Sequence, residues 1–419
     1  MGTTLKSTPA TRRGGPIPRG LAHSGPAVLS YGFRPFFLLA AISAFVDMIV
    51  WIGALSGAWD IGGKAGPVAW HAHEMLFGYG AAALCGFVLT AVPNWTGRLP
   101  VSGRPLLALV ALWLAGRLAM AVPALVGELP SAIIDALFLP ALAVIVGREV
   151  IAGHNWQNLR VLVAIAILGL LNAAFQAATL WGWDPGAIVR MTVGVYVLLI
   201  GQVGGRIIPS FTRNYLSRQG AARLPSPAGR FDQTVLAVTL LAAIAWTLAP
   251  QGLATTLLAA AAALAQAVRL ARWQPLAALH EPLLAVLHIG FAFIALGWAA
   301  VALASRGLMP AASALHVLTL GGVGLMTMGV MARATRGHTG HPLKATKLTV
   351  AAYACLVGAT LLRPAAEMLP GANSLLLTLA GAAWIIGFGL FLAEYAPMLL
   401  RPAIAAKAGR PAARVSSRP

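Results

Sequence analysis

His71, His73 and Glu74 fall within four consecutive residues of the stretch WHAHEMLFGYGAAALCGFVLTAVP, which runs from Trp70 to Pro93. Apart from them the stretch is mostly apolar or small and is long enough to cross a bilayer, so three ionisable groups stand a turn inside one end of a membrane helix. Groups at that depth are costly to place and mark a functional site by default. Imidazole is the common axial ligand of haem and also suits copper, so metal ligation is the chemistry these side chains offer. On a helix, residues two apart point about 200° from each other, which sends His71 and His73 to opposite sides while His71 and Glu74 share one. One helix can therefore present ligands to two neighbouring sites.

His316 lies in a second apolar stretch of the same kind and is the natural partner for this pair, with His71, His73 and His316 ligating one centre from two helices. The plainer reading is that each histidine hydrogen-bonds a neighbouring helix and binds nothing. His288 is flanked only by apolar residues, and metal and packing roles stand equal for it. His280, His338 and His341 lie in loop-like sequence; the GHTGHP pair has a spacing that could hold a soft or borderline metal. Met326, Met328 and Met331 could offer thioethers to Cu(I), although methionine more often fills gaps between helices. Arg117, Arg190 and Arg363 are read as partners of Asp47, Asp135 and Glu74 or of haem propionates, with snorkelling to the surface as the alternative. Asn94, Trp95, Thr96, Arg98, Ser210, Thr212, Arg213 and Asn214 either cap helices or line a site at the opposite end. No Gly-rich phosphate loop, HExxH or nucleophile elbow is present.

The elements that must position these residues follow from composition. With 59% hydrophobic and 10% charged residues in 419, the chain is too apolar for soluble domains and reads as an all-α, polytopic membrane protein. Twelve apolar spans are expected, near 36–58, 67–92, 105–126, 131–148, 160–182, 186–209, 232–249, 252–271, 281–304, 309–332, 347–369 and 374–399. Each is about the length that crosses roughly 30 Å of hydrocarbon at 1.5 Å per residue. The twelve-helix domain occupies 35–400, and the polar, Pro- and Arg-rich segments 1–34 and 401–419 read as disordered tails rather than signal peptides. If the N-terminus is cytoplasmic, 25 of the 30 basic residues lie inside, only Lys64 and Arg306 fall in the opposite loops, and both termini are cytoplasmic. The net charge of +19 is thus a topology signal and implies no nucleic-acid partner. Cys85 and Cys355 lie within apolar runs and read as small buried hydrophobes rather than a disulfide.

A repeat is suggested beneath the twelve spans. His73 lies thirteen residues before Gly86 and His316 thirteen before Gly329, while Gly201 in the sixth span leads into a similar basic loop. Spans two, six and ten would then be equivalent members of three four-helix units.

The segments YGFRPFF (Tyr31 to Phe37), WHAHEMLFGYG (Trp70 to Gly80), VPNWTG (Val92 to Gly97), GRIIPSFTRNYL (Gly205 to Leu216) and ALHVLTLGGVGLMTMGVMARATRGHTGHP (Ala314 to Pro342) together resemble the NnrS family. The resemblance implies a bacterial inner-membrane protein containing haem b and copper, tied to nitric oxide and nitrosative stress. It implies nitric oxide, membrane lipid and an electron donor as partners. The three-by-four arrangement also resembles the core subunit of haem-copper oxidases and nitric oxide reductases, where a haem lies between the second and tenth helices, the places of His73 and His316. This chain departs from that core in lacking paired histidines after a histidine-bearing sixth helix, so the likeness favours a haem over oxygen chemistry. The expected ligands are His71, His73, His288 and His316 for metal, with Arg117 and Arg363 toward the cofactor. Binding or turnover of nitric oxide leads; a twelve-helix transporter, or a haem-based sensor without turnover, is the alternative.

Overall fold

Membrane length and apolar composition recur along the chain because the polar breaks expected from sequence do interrupt it. The computed structural model describes residues 25–404, which include twelve helices long and apolar enough to cross a membrane and no strand. Spans one to six are Phe33–Leu55, Gly63–Thr96, Gly103–Ala121, Glu128–Ala152, Trp156–Leu180 and Gly186–Arg218. Spans seven to twelve are Arg230–Leu248, Leu253–Ala271, Pro282–Ala304, Ala311–Thr339, Lys347–Met368 and Pro370–Leu400. The bundle end from which Phe33 starts and at which Leu400 finishes carries most of the arginines and is called the basic end here; the other is the far end. The segments read as tails fall outside the described residues at 1–24 and 405–419. Residues 27–34, assigned to the first tail on composition, are instead structured: Ala27–Leu29 forms a 3-10 turn and Tyr31, Phe33 and Arg34 are buried.

Arg34 explains part of that order. Its guanidinium donates to the carbonyls of Leu399 at 3.0 Å and Arg401 at 2.6 Å, so it satisfies acceptors that the end of span twelve leaves without helical partners. The first span is thereby clasped to the last. The spans do not share burial equally. In their most apolar windows, spans two and nine are 78% buried and span ten 67%, whereas the other nine lie between 28% and 44%. Spans two, nine and ten therefore form the core, and the remainder face lipid on one side.

Small residues let the core helices approach. A Cβ at Gly321 of span ten would stand 2.7 Å from the Phe293 ring of span nine, and one at Gly290 of span nine would stand 3.1 Å from Met326 of span ten. This is the small-residue contact by which membrane helices gain van der Waals packing in place of a hydrophobic driving force.

Spans two and ten share an irregularity. Span two is α-helical over Gly66–His73, π-helical over Glu74–Gly80 and α-helical again over Ala81–Thr96; span ten runs Ala311–His316, Val317–Gly324 and Leu325–Thr339 in the same order. Each π segment begins at the residue after a histidine, His73 or His316. π turns leave backbone groups poorly matched and concentrate at functional sites. In span two, side chains from neighbours meet that need: Tyr196 donates to the Leu76 carbonyl at 2.7 Å and Trp113 to that of Gly78 at 3.2 Å. Span six is one uninterrupted α-helix over Gly186–Arg218 and only 44% buried. The expected equivalence thus joins spans two and ten and does not extend to span six, so a threefold repeat is not established.

Candidate functional site

His73 stands at the centre of a network in the far half of the bundle. It is fully buried, its Nδ1 3.0 Å from Glu74 Oε1 and its Nε2 3.0 Å from Asp135 Oδ2 of span four and 3.1 Å from Asn172 Oδ1 of span five. Gln176, four residues after Asn172, donates to Asp135 Oδ2 at 2.9 Å, and so does Asn172 itself. Arg117 of span three forks to both Glu74 and Asp135. A guanidinium offers the planar donors that two carboxylates need, and each buried charge is met by an opposite one. Phe77 and Phe175 flank the imidazole, each with ring centres 5.4 Å away. Asp47 of span one bonds Ser43 and lies within electrostatic range of Glu74 and Arg117. A small cavity of about 40 Å³, lined in part by Trp70, Glu128, Ser131 and Gln176, reaches His73 from the far end.

The opposite helix face carries His71, as the 200° offset requires, but Glu74, expected on the face of His71, opens the π segment and turns to His73 and Arg117 instead. The His71 ring stacks on Trp51 of span one with centres 4.5 Å apart and planes 15° from parallel. Its buried Nδ1 has no hydrogen-bond partner among the described residues. His316 of span ten and Arg363 of span eleven lie within electrostatic range of it. His316 Nδ1 donates to the Ala312 carbonyl at 2.7 Å, the bond by which a protein fixes the tautomer of a ligating histidine and turns Nε2 outward as an acceptor. Arg363 pairs with Glu367 at 2.7 Å, and Glu367 accepts from Ser313 at 2.7 Å, three residues before His316.

These placements sort the expected ligands. His73 has both ring nitrogens engaged within its network, and the histidine of span two that lies within electrostatic range of His316 is His71. Arg117 is likewise closed on two carboxylates, whereas Arg363 lies within electrostatic range of both His71 and His316. Arg190 donates to the Thr247 carbonyl at 3.3 Å. His288 lies apart, near the basic end, with Nε2 2.9 Å from Thr212 Oγ1 of span six. The four expected metal histidines therefore do not converge, and among the described residues no three His, Cys, Asp or Glu side chains gather as a metal site. Met326 and Met331 face one apolar cavity; Met328 is buried. Both cysteines are free.

Asn172 and Gln176 carry no charge and were not singled out from sequence, yet they complete the network. The signal was present: two amides four apart share one face of an otherwise apolar span, where an unpaired amide is costly. Trp51 carried no such signal, because tryptophan in a membrane helix is common.

The family described as NnrS protein matches residues 27–403. Comparison with curated proteins gives no match. A match over nearly the whole length means that the chain belongs to the NnrS family, as a membrane protein of twelve apolar helices.

Proposed function

From that membership we propose that the chain is a haem-binding integral membrane protein of the nitric oxide response, with His71 and His316 as the residues that would hold the haem, set in a bacterial inner membrane with both termini cytoplasmic. The observation that carries this reading is the pair of imidazoles on spans two and ten, one with a buried Nδ1 left unpartnered and the other with Nδ1 tied to its own backbone. Haem, when bound, supplies an iron that takes nitric oxide and exchanges electrons. The chain's own residues supply the rest. Trp51 stacks on the His71 ring, the Ala312 carbonyl holds His316, and Arg363, steadied by Glu367, would offer a cation to a haem carboxylate. An electron donor and nitric oxide are the partners this reading needs.

Copper belongs to the family's chemistry, but the described residues do not assemble a donor set for it, and no step is derived through it. The thioethers of Met326 and Met331 are the softest donors on one cavity wall.

The test is an optical spectrum and metal analysis of the purified full chain, expressed with haem and copper supplied. Wild type and His73→Gln should show a Soret band that His71→Ala and His316→Ala lose. A colourless wild type, or a band that survives in both alanine variants, overturns the reading and turns attention to transport through the buried polar network. Nitric oxide consumption with an added reductant then separates an enzyme from a sensor.

A further inference from the structure

At the basic end, spans two, six and ten part around a cavity of about 540 Å³, a volume typical of sites for small organic molecules. Its lining includes two cations, Arg206 and Arg333, and two amides, Asn94 and Asn158, among aromatic and aliphatic side chains that include Phe87 and Phe211. Among the described residues no acidic side chain lines it. Arg206 approaches Asn158 Oδ1 at 3.4 Å, and the Arg333 guanidinium lies over the Phe211 ring, 4.3 Å from its centre. Among the described residues neither arginine forms a salt bridge, although Glu281 and Arg218 lie within electrostatic range of Arg333. Phe87, Val203, Ile207 and Val330 also line a second cavity, apolar but for Tyr196 and Thr327, that continues toward the middle of the bundle. Cations set beside amides recognise an oxyanion, and an apolar extension behind them accepts a hydrocarbon body.

We infer that this cavity is a binding site for an amphipathic organic anion, with its carboxylate or phosphate between Arg206 and Arg333 and its apolar body running between spans two, six and ten. The inference is independent of the haem reading, since the site lies at the other end of the bundle and uses none of its residues. An oxyanion on an apolar body reaches this end either as a lipid headgroup or as a free organic acid.

The probe is 4-phenylbutyrate, set against its neutral amide, with binding followed by calorimetry on the purified full chain. The carboxylate should bind roughly tenfold or more tightly than the amide, the difference expected of a charge-assisted hydrogen bond. Arg206→Gln and Arg333→Gln should each abolish most of that preference, while Arg306→Gln in a far-end loop should leave it intact. Circular dichroism of each variant confirms that it is folded. The two sources separate in nanodiscs. If phosphatidylglycerol, but not phosphatidylcholine, competes with the probe and is retained by wild type but not by Arg333→Gln, the anion is a lipid headgroup. If phosphatidylglycerol does not compete, it is a free acid. Equal binding of carboxylate and amide, no binding of either, or binding unchanged in both glutamine variants overturns the inference.

Discussion

Arg117 and Arg333 are both guanidiniums held near aromatic rings, Trp113 at 5.8 Å and Phe211 at 4.3 Å, yet they are used in opposite ways. Arg117 closes on Glu74 and Asp135, with His73, Asn172 and Gln176 completing the shell. Arg333 looks onto a cavity to whose wall the described residues bring no carboxylate. A charge buried in hydrocarbon must be matched from within the chain, because nothing outside can reach it, and matching consumes its capacity to bind anything else. A charge at the rim, where water can reach it, need not be matched and stays available. The far-end network thus spends its charges on one another, and the basic-end cavity leaves its charges open.

The largest break of that contrast is Arg117→Met. It leaves Glu74 and Asp135 buried without a cation and should cost about 3–5 kcal/mol, seen as a sharp fall in yield and in unfolding midpoint in detergent. Neutralising the carboxylates as well, with Glu74→Gln and Asp135→Asn in the same chain, should recover most of that loss; a triple variant as weak as Arg117→Met would show that the arginine packs rather than pairs. His73→Gln comes next. It leaves carboxylate oxygens partly unsatisfied and should cost about 1–3 kcal/mol while the optical spectrum is kept, so loss of the spectrum would return His73 to the ligand set. Arg206→Gln and Arg333→Gln should be smallest in stability, within about 0.5 kcal/mol of wild type by the same unfolding measurement. Added salt sharpens the comparison at no cost to the fold, because raising ionic strength should weaken 4-phenylbutyrate binding at the rim while the unfolding midpoint, set by buried pairs, barely moves.

Much of this could be read from the chain. The twelve spans were visible because hydrocarbon thickness imposes a length, and that period does not depend on tertiary partners. The opposed faces of His71 and His73 followed from helix geometry alone, and so did the separation of the two sites they enter. What sequence left open was which face was which. His73 sits beside Glu74, and its claim by Asp135, Asn172 and Gln176 depends on spans four and five, sixty-two to 103 positions away. The same holds for Arg117, whose candidate partners were all named but whose choice among them needed packing. The cavity at the basic end was foreshadowed by Asn94 and Trp95, which line it, whereas Thr96 and Thr212 turned out to bond carbonyls of their own helices.

The π segments of spans two and ten have a bearing on how such a site can change. A π turn holds about one residue more than an α turn, so each segment behaves as a single-residue insertion absorbed without breaking its helix. Each residue contributes about 100° of rotation. Removing one residue from Glu74–Gly80 would therefore let span two wind regularly with Gly66–His73 and Ala81–Thr96 both kept in their packing. Removing one from Ala81–Thr96, which has no extra residue to give up, would swing everything before it, His71 and His73 included, around the axis by that angle. The same contrast holds for Val317–Gly324 and Leu325–Thr339 with respect to His316. In both helices the π segment is thus the stretch that can lose a residue without turning an imidazole, and the regular stretch beside it is the one that cannot.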